Sequence, residues 1–580
     1  MNKNLDTMRH SAAHVLASAI YKIFPDAKFG IGPDIENGFY YDFDLPRTLI
    51  PEDLPIIEKN MKELIKANLP FEKKEMKRDE AIAHFKKAKQ QYKIELLEEM
   101  KDDKVTVYRC GDFVDLCKGP HVESTGEIKE FKLTHIAGAY WRGSEKNKML
   151  QRIYGIAFET KENLKKHLKL LEEIKKRDHR KIGKELELFT FSEEIGKGLP
   201  LWLPKGNIIK EEIENWGKET EKAWGYVRVT TPHITKEKLY KISGHIPYYT
   251  DDLYAPFEIE DEKYYLKPMS CPHHHMIYKA RKRSYKELPL RIAEYGTVYR
   301  YEDSGALYGL MRVRGITQND AHIYCTKEQA KKEFLDVMKL HEFYYKKLGL
   351  EDYYIELALR DPANKKKYHG DEKMWEESEK MTREVLDKSK IPYIAKKGDA
   401  AHYGPKTDFI IKAVTGREFA ISTNQLDLYM PKQFNLTYID KDGKEKETVV
   451  IHRSPLGSHE RFIGFLIEHF AGAFPLWLSP VQAAIIPVAD AFNKYANKIK
   501  EEFEKNEIRV EINDKSESVG KRIRESEKQK IPYMIVVGEK EEKNDTITIR
   551  TRDKKEQKTL KVDKFIESAK IKINKKSLDL

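Results

Sequence analysis

The sequence predicts an α+β protein of several domains that ends in a small α/β domain. Its 580 residues suffice for about three to four domains of ordinary size. From Phe189 to about Pro480, aromatic strand-like segments alternate with Gly/Pro turns, which is typical of a large α+β domain. After Val481, apolar strand segments alternate with charged helical segments, which predicts a partly parallel sheet.

The N-terminal part mixes helical and strand-like patterns. Apolar residues recur at helical spacing in Thr7–Phe24, and a long lysine-rich helical region is predicted for Glu52–Lys101. Short aromatic strands are predicted in Gly30–Asp44 and near Thr106–Val114. The next segment, Lys161–Leu186, carries leucines at helical spacing among dense charges, so we expect a connecting helix at a domain boundary.

The C-terminal part repeats a strand–helix order. Its predicted strands are Ala483–Val488, Arg509–Ile512, Tyr533–Val537 and Thr546–Arg550, and its predicted helices are Phe492–Lys505 and Ser518–Lys530. Together these patterns divide the chain into an N-terminal α+β domain (1–160), a linker helix (161–187), a large α+β domain (188–480) and a C-terminal α/β domain (481–580).

Composition limits the class of protein. There are 106 Lys and Arg against 95 Asp and Glu, a formal net charge of +11 that allows a polyanionic partner without requiring one. No run of about 18 apolar residues predicts a membrane span, and the N-terminus lacks the apolar core of a signal peptide. The four cysteines are widely scattered, which argues against a disulfide scaffold and favours a reduced cytoplasm.

One hairpin, residues 291–325, carries the strongest functional signal. Strands are predicted at Arg291–Tyr301 and Leu310–Ile316, on either side of a Gly-rich loop, Asp303–Gly309. Guanidinium groups bind phosphate oxygens bidentately, and glycine lets the backbone approach a ligand closely. The arginines that could do so are Arg291, Arg300, Arg312 and Arg314. The hairpin is therefore a candidate nucleotide triphosphate clamp, and an ordinary surface hairpin with solvated arginines is the alternative.

The hairpin resembles the second signature motif of class II aminoacyl-tRNA synthetases, in the form found in the threonyl family. Arg300-Tyr301-Glu302 matches that motif, and Met311–Gly315 matches the strand after it. The strand continues through Thr317-Gln318 and Asp320-Ala321-His322, which also match.

Two further segments resemble the other motifs of this class. Gly457–Phe462, which leads into an apolar helix at Ile463–Phe474, is similar to the third motif, although alone its Arg461 would fit a surface residue. The helix and strand around Ile208–Pro232 would be the first motif, which commonly forms the dimer interface. The fold implied is a class II antiparallel-sheet catalytic core, an N-terminal editing domain and a C-terminal anticodon-binding domain.

The resemblance implies adenylation of an amino acid by ATP. Because the attacking carboxylate is already ionised, the protein must position it and neutralise charge rather than supply a base. By resemblance, Arg300 contacts the α-phosphate, Glu302 the adenine amino group, and Arg312 and Arg461 the terminal phosphates. Lys406 is a further catalytic residue and Gln318 a further ATP-site residue by the same resemblance. Mg²⁺ is expected with ATP, although no Mg²⁺ ligand is readable from the sequence.

The resemblance also implies a zinc site. Cys271, His322 and His452 lie far apart in sequence, and each alone fits a buried cysteine or a structural histidine. The run His273–His275 is expected in a loop or at a helix start. The threonyl family, however, picks out Cys271, His322 and His452 as zinc ligands. Three protein ligands leave zinc an open position, where threonine can bind through its amino nitrogen and hydroxyl, whereas valine has no hydroxyl.

The same resemblance gives the residues that would hold the rest of threonine. Asp320 would accept hydrogen bonds from the substrate ammonium group, helped by Gln318. Tyr403 and Gln425 are further threonine-site residues.

A second cluster lies in the N-terminal part. His10 and His14 are four residues apart and share one helix face, while Cys117 and His121 follow Asp115. By ligand type the set fits zinc, with a structural zinc or a chance pair as alternatives. The pattern resembles the editing domain shared by threonyl- and alanyl-type enzymes, where such residues hydrolyse seryl-tRNA, generally without a metal.

Physical chemistry explains why such a domain is needed. Serine also chelates zinc, and one missing methyl group gives only about 1–3 kcal/mol of discrimination. A second, hydrolytic site is the remedy. The sequence does not assign which residue of the cluster acts as the base.

The C-terminal part carries basic residues at strand ends, in Lys521–Arg524 and Arg550–Arg552. Such residues are often merely solvated. By resemblance this is the anticodon-binding domain, with Glu541 and Arg550 as candidate base-reading residues, because unstacked anticodon bases are the usual targets of sequence-specific RNA recognition.

Three features depart from the family pattern. Many bacterial members carry a ubiquitin-like (TGS) domain ahead of the editing domain, whereas here the editing pattern starts at once, so we expect a form without it. Phe419 and Ala420 stand where the family usually has Trp-Gln, and Asp514–Gly520 differs from the usual Arg-Asn-Glu-Lys.

Taken together, the resemblance implies a cytoplasmic, homodimeric ligase of the threonyl type that uses ATP, L-threonine, tRNA(Thr) and one Zn²⁺ per subunit. It would adenylate threonine, transfer it to tRNA and hydrolyse mischarged seryl-tRNA. One rival is a prolyl- or seryl-type class II ligase, which lacks this combination of zinc set and editing domain. Another is a non-catalytic tRNA-binding protein derived from a synthetase, which the intact arginines and ligands disfavour.

Overall fold

The computed structural model describes residues 3–144, 146–364, 367–413, 416, 418–552, 554 and 556–580, without the side chains of Lys3 and Tyr248. The chain divides into two compact units, Met1–Glu172 (the N-terminal unit) and Glu173–Leu580 (the C-terminal unit). The division falls inside the predicted linker segment 161–187. Among the described residues, no helix combines the length and apolar character needed to cross a membrane.

The N-terminal unit is built from helices and antiparallel strands. Its helices are Lys3–Ile23, Asp53–Lys66, Arg78–Lys87 and Gln91–Glu99, and a fifth, Lys161–Arg177, runs across its end. Its strands are Lys28–Phe29, Asp34–Ile35, Gly38–Asp44, Phe71–Lys77, Lys104–Cys110, Phe113–Leu116, Glu130–Tyr140 and Met149–Phe158. The first helix buries Ala12, Val15, Leu16 and Ala19 in the unit's main apolar cluster.

The expectation of one long helical region at Glu52–Lys101 was wrong. The helix that starts at Asp53 ends before Asn68, whose φ of 51° lies in the left-handed region. The chain then forms the strand Phe71–Lys77, which pairs antiparallel with Lys104–Cys110. Strand pairing therefore overrides the helical propensity of a lysine-rich segment.

The predicted linker helix is interrupted. The structure has Lys161–Arg177 and His179–Glu185, separated at Asp178. The Asp178 side chain accepts a hydrogen bond from the backbone N–H of Arg180 and so caps the second helix.

The C-terminal unit begins with a large mixed domain. After His179–Glu185 its helices are Pro204–Ala223, Glu237–Ile242, His245–Tyr248, Cys271–Lys279, Lys327–Lys347, Glu372–Ser389, Met430–Phe434 and His459–His469. Its strands are Phe189–Thr190, Leu201–Trp202, Val227–Arg228, Ile234–Lys236, Phe257–Ile259, Glu262–Leu266, Leu290–Tyr299, Gly315–Cys325, Tyr353–Leu359, Tyr393–Lys397, Lys406–Lys412, Glu418–Asp427, Thr437–Ile439, Glu445–Glu447 and Val449–Ser454.

The described strands of this domain include one large sheet. Its order starts at Val227–Arg228 and passes through Leu290–Tyr299, Gly315–Cys325, Val449–Ser454, Glu418–Asp427, Lys406–Lys412 and Tyr353–Leu359 to Tyr393–Lys397. Its inner pairs are antiparallel, while the first and last strands pair parallel with their neighbours. The predicted antiparallel core is confirmed.

The hairpin at 291–325 is present, but its second strand was placed too early. The observed strand is Gly315–Cys325 rather than Leu310–Ile316. Leu310 and Met311 lie in a turn, not in a strand, and both are buried there. Leu310 packs close to Gly464 of the helix His459–His469, which explains why an apolar residue stands at this position. That helix was predicted at Ile463–Phe474. It starts earlier because Ser458 caps it and ends before Ala471 and Gly472, both of which have positive φ.

The C-terminal part of the unit has the predicted strand–helix order. The strands are Ala483–Pro487, Val510–Ile512, Tyr533–Val537, Thr546–Thr551 and Gln557–Lys561, and the helices are Asn493–Lys505, Val519–Lys528, Glu539–Asn544 and Val562–Lys575. Ala483–Pro487 pairs parallel with two neighbours, and the remaining pairs are antiparallel, so the partly parallel sheet is confirmed. Gln557–Lys561 was not predicted because this charged edge strand lacks apolar alternation.

A buried ion pair ties the large sheet to the helix Pro204–Ala223. Arg453 Nη1 lies 2.8 Å from Glu221 Oε1, and both side chains are almost fully buried. Asn319 Nδ2 donates to the same oxygen at 2.8 Å. The Arg453 guanidinium also lies 4.1 Å from the centre of the Tyr226 ring.

Replacing Glu221 by Ala should destabilise the C-terminal unit by about 3–5 kcal/mol, because it leaves the Arg453 guanidinium buried without its carboxylate. Urea denaturation followed by circular dichroism measures the loss. Asp336→Ala, which breaks the exposed Lys332–Asp336 pair, is the control and should cost less than about 1 kcal/mol. Equal losses for the two variants would contradict a structural role of the buried pair.

Candidate active sites

One cavity of about 460 Å³ in the C-terminal unit collects the sequence-predicted residues of the catalytic core. Its lining includes Cys271, Arg300, Glu302, Arg312, Gln318, Asp320, His322, Tyr403, Lys406, Gln425, His452 and Arg461. These residues come from distant parts of the chain, some from strands of the large sheet and others from helices and loops.

One end of this cavity is crowded with guanidinium groups. Arg461 Nε donates to the Met311 carbonyl at 3.0 Å, and Arg312 Nε donates to Glu302 Oε2 at 2.7 Å. Burial, and then the charges of Arg300 and Arg312, lower the pKa of Arg461. Like charges held this close favour the binding of a polyanion.

Phe419 and Ala420, which depart from the family pattern, still support this end. The Ala420 carbonyl accepts a hydrogen bond from Arg461 Nη1 at 3.4 Å, and Ala420 lines the cavity. The Phe419 ring packs edge-on against Phe465, with 6.2 Å between ring centres. The contact with Arg461 is thus made by the backbone of Ala420 and does not depend on a polar side chain there.

The opposite end holds the predicted metal ligands. Cys271, His322 and His452 are buried, and one potential ligand atom from each lies within 4.8 Å of the others. His322 and His452 are direct partners on neighbouring strands, and His452 is also the partner of Gln425. Burial raises the pKa of the Cys271 thiol well above its usual value and lowers that of His322.

Hydrogen bonds behind the two histidines orient their free nitrogens. His452 Nε2 lies 2.8 Å from Asp427 Oδ2, so its N–H points there and its Nδ1 lone pair is available. His274 Nε2 lies 3.2 Å from Glu294 Oε2, and its Nδ1 lies 2.7 Å from His322 Nδ1. With the His274 proton on Nε2, His322 donates from Nδ1 and keeps Nε2 for a ligand.

Glu294 and Asp427 were missed by sequence reasoning, and His274 was noted only as part of the run His273–His275. Burial would raise the pKa of Glu294, but hydrogen bonds from His274 and Thr231 and the charge of Lys267 outweigh it and lower the pKa to about 2. Glu294 is the direct cross-strand partner of Asp320 in the hairpin. That position could have drawn attention to it.

The run His273–His275 lies at the start of the helix Cys271–Lys279, as expected. Among the described residues the three do not form a metal-binding group with one another. His275 belongs to a second buried group with Asp427 and His452, so this run contributes to the surroundings of the site.

Asp320, Tyr403 and Gln425 line the same cavity near the candidate metal ligands. Asp320 is buried, and burial raises the pKa of its carboxyl, so a cationic ligand would stabilise its ionised form. The Tyr403 hydroxyl donates to Gln425 Oε1, and the Tyr403 ring stacks on His452 at 4.8 Å. Lys406 Nζ lies 2.7 Å from Asp408 Oδ2.

The N-terminal unit holds the second predicted cluster. His10, His14, Cys117 and His121 each offer a ligand atom within 4.8 Å of the others. Cys117 Sγ lies 3.3 Å from Nε2 of both His10 and His121. Burial raises the pKa of Cys117 to about 11 and lowers that of His121 to about 2, so these groups are neutral near pH 7.

Asp115 lies beneath this cluster in a buried network. His14 Nδ1 lies 3.3 Å from Asp115 Oδ2, and Lys93 Nζ lies 2.5 Å from Oδ1. The Tyr41 hydroxyl donates to Oδ2 at 2.6 Å. Lys93 and Tyr41 were not predicted, because nothing in the local sequence marks a single lysine or tyrosine as buried.

The two candidate anticodon residues have partners within the terminal domain. Arg550 Nη2 lies 2.9 Å from Glu527 Oε1. Glu541 Oε1 accepts from Thr548 at 2.8 Å, and its Oε2 accepts from the Gly538 backbone N–H. Each is partly exposed, so their base-reading role stays a prediction.

The divergent segment Asp514–Gly520 forms the entry to a helix. Ser518 caps the helix Val519–Lys528. Lys515 Nζ lies 3.4 Å from Glu525 Oε2. The charged residues of this segment are thus partly paired within the domain.

Models of three protein families match the chain. The tRNA synthetase class II core domain (G, H, P, S and T) matches residues 254–470, the anticodon binding domain matches 482–571, and the threonyl and alanyl tRNA synthetase second additional domain matches 105–154.

Similar proteins cover nearly the whole chain. Threonine–tRNA ligase from Halalkalibacterium halodurans is 48% identical over 97% of this chain and 88% of its own length. Threonine–tRNA ligase 1 from Bacillus subtilis is 49% identical over 98% and 88%. A threonine–tRNA ligase from Thermus thermophilus is 49% identical over 97% and 87%.

A solved structure is similar as well. The RNA binding domain of threonyl-tRNA synthetase from Cryptosporidium parvum Iowa II has a TM-score of 0.65 and 34% identity to this chain. It covers 70% of this chain and 99% of its own.

The buried carboxyl of Glu460 should make the stability of the protein depend on pH. Burial raises its pKa from 4.5 to about 7, against the opposing hydrogen bond from the Thr317 N–H. A raised carboxyl pKa stabilises the fold at low pH, and this contribution is lost as pH rises through the folded-state value. Relative to Glu460→Gln, the native chain should therefore lose on the order of 3 kcal/mol between pH 4.5 and 8.

Urea denaturation of both chains at pH 5 and pH 8 measures this difference. Glu376→Gln, on an exposed helix face, is the control and should keep a constant difference from the native chain. A constant difference for Glu460→Gln as well would contradict the raised pKa.

Proposed function

The chain belongs to the threonine–tRNA ligase family, and on that premise we propose which residues perform each step. The cavity of the C-terminal unit would form threonyl-adenylate and transfer threonine to tRNA(Thr). The cluster in the N-terminal unit would hydrolyse seryl-tRNA(Thr). The observation that carries the proposal is that the arginines predicted to bind ATP and the three residues predicted to bind zinc line one cavity.

At the cationic end, Arg300, Arg312 and Arg461 would neutralise the phosphates of ATP. Arg300 would act on the α-phosphate and the other two on the terminal phosphates, with Mg²⁺ as the expected counter-ion. Glu302 now pairs with Arg312, so binding the adenine amino group would release Arg312 toward phosphate. Lys406 and Gln318, which line the same cavity, would complete this end.

At the other end, Cys271, His322 and His452 fit Zn²⁺, because two imidazoles with free lone pairs and one thiol converge there. When bound, zinc supplies an open coordination position suited to the amine and hydroxyl of threonine. Asp427 and His274 would hold the two imidazoles in orientation. Asp320 would accept hydrogen bonds from the substrate ammonium, with Gln318, Tyr403 and Gln425 closing the pocket.

In the N-terminal unit, the neutral histidines and Cys117 would position water against the seryl ester. Asp115 would hold His14 in orientation by accepting a hydrogen bond from its Nδ1–H, and Lys93 pairs with the other oxygen of the same carboxylate. Because the cluster is neutral, the substrate meets hydrogen-bonding groups rather than fixed charges.

The remaining assignments are also proposals. The segments 1–160, 161–187, 188–480 and 481–580 would be the editing domain, linker, catalytic domain and anticodon-binding domain, with Glu541 and Arg550 reading anticodon bases. A homodimer interface around Ile208–Pro232 is part of the same proposal. The cysteines Cys110, Cys117, Cys271 and Cys325 are free, which supports a reduced cytoplasmic location.

Replacing Cys271 by Ser should remove bound zinc and reduce threonine-dependent ATP–pyrophosphate exchange by roughly 100-fold or more, while ATP binding persists. Metal analysis and exchange kinetics measure the two effects. Cys325→Ser, at another buried cysteine outside the ligand group, is the control and should keep both metal and activity.

The native enzyme should activate valine roughly 10⁴-fold less well than threonine. Comparable rates for valine and threonine would exclude recognition through the hydroxyl.

Replacing His10 by Ala should leave threonylation unchanged and allow seryl-tRNA(Thr) to accumulate, since one side of the hydrolytic cluster is lost. Deacylation of preformed seryl-tRNA(Thr) should slow by roughly 10²-fold or more. His84→Ala, in the same unit but outside the cluster, serves as the matched control. Unchanged clearance by His10→Ala would remove the assigned editing role.

A further inference from the structure

His179 is a buried histidine that belongs to neither proposed site. It starts the helix His179–Glu185 in the predicted linker segment, and its side chain is fully buried. It lies between two elements that lead to the ATP end of the cavity. These are the turn Tyr308–Arg312 and the helix His459–His469.

The hydrogen bonds of His179 fix its tautomer. The backbone N–H of Leu310 lies 3.1 Å from His179 Nε2, and a backbone N–H can only donate a hydrogen bond. Nε2 must therefore be unprotonated, and the ring proton lies on Nδ1. Nδ1 donates it to Glu468 Oε1 at 2.7 Å, and the His179 backbone N–H reaches the same oxygen at 3.3 Å.

These bonds also argue against a metal site here. Asp178, His179 and Glu468 lie close enough to hold an ion. However, both ring nitrogens of His179 already have partners, and the Asp178 carboxylate is bound by Arg180. The cluster is a hydrogen-bonded connection instead.

The turn Tyr308–Arg312 is fitted closely around His179. A Cβ atom added at Gly309, whose φ is +48°, would lie 2.1 Å from His179 Nε2, so only glycine fits. The Arg180 guanidinium lies 4.4 Å from the centre of the Tyr308 ring. The turn is closed by backbone hydrogen bonds between Tyr308 and Arg312.

This turn carries groups of the ATP end. Arg312 is its last residue, and the carbonyl of Met311, next to Leu310, accepts the hydrogen bond from Arg461 Nε. Glu468 lies on the same helix as Arg461, near its opposite end. There Arg177 Nη1 donates to the last carbonyls, those of Glu468 at 3.4 Å and His469 at 3.1 Å.

We propose that His179 is a positioning residue for ATP: by binding Leu310 and Glu468 at once, it sets the spacing between Arg312 and Arg461. This inference rests on the proposed contacts of those two arginines with phosphate. The linker segment is then part of the adenylation machinery as well as a connection. The hydrogen bonds described for the His179 ring reach Leu310 and Glu468 and none of the proposed threonine-site residues, so their loss should affect ATP and spare threonine.

A matched pair of substitutions separates the two bonds. The amide of Gln reaches the position of Nε2, so His179→Gln keeps an acceptor for Leu310 N–H. The amide of Asn reaches only the position of Nδ1, so His179→Asn keeps the donor to Glu468 and loses the bond to Leu310. Thermal unfolding of both full-length variants confirms that each is folded.

In ATP–pyrophosphate exchange, His179→Asn should lower kcat/KM for ATP by roughly 10- to 100-fold, as ångström-scale misplacement of binding groups does. KM for threonine should stay within about twofold. His179→Gln should recover most of the loss. Equal effects of Asn and Gln, a native-like kcat/KM for ATP in His179→Asn, or a rise in KM for threonine beyond about twofold would each overturn the inference.

Arg461→Ala, measured in parallel, distinguishes failure of the positioning role of His179 from failure of the proposed phosphate contacts. If Arg461→Ala loses ATP affinity while His179→Asn does not, the arginine role stands and the positioning role falls. If neither variant changes kcat/KM for ATP, both fall.

Discussion

The register of the strand Val449–Ser454 between its two neighbours is the constraint on which the catalytic cavity depends. It sets His452 directly opposite His322 on one side and Gln425 on the other. Because side chains of a strand alternate between faces, a shift of one residue would send His452 to the opposite face and Arg453 into its place. The buried ion pair of Arg453 and Glu221 opposes such a shift, because the shift would leave Glu221 buried without its cationic partner.

The two ends of the cavity are held by different means. At the metal-binding end, buried carboxylates behind the imidazoles fix the tautomers, so the free nitrogens converge before any ligand arrives. At the proposed ATP end, Arg461 is held by the Met311 carbonyl and Arg312 by the Glu302 carboxylate, and the repulsion that Arg300 and Arg312 exert on Arg461 favours a bound anion. Hydrogen bonds orient the side chains at the first end, whereas the positive charge of the arginines suits the second end to an anion.

Sequence patterns named candidate residues that the structure brings together in two clusters, but they did not name the groups that orient those residues. His10 and His14 could be placed on one helix face because they are four residues apart, and the arginines of the hairpin could be identified by their motif. Lys93, His274 and Glu294 carry no such pattern, since their importance lies in contacts with residues far along the chain. The strand at Phe71–Lys77 was missed for a related reason, because its partner Lys104–Cys110 comes about 30 residues later.

The sequence by itself determined the family, the division into α+β and α/β parts, and the candidate residues of the two sites, because motif residues and short-range periodicity are local properties. Tertiary structure alone decided which of the apolar positions Leu310–Ile316 form a turn and which form a strand. It also decided which nitrogen of each buried histidine is free, and that a linker histidine contacts the ATP turn. Each of these depends on hydrogen bonds and burial between segments that only the folded chain brings together.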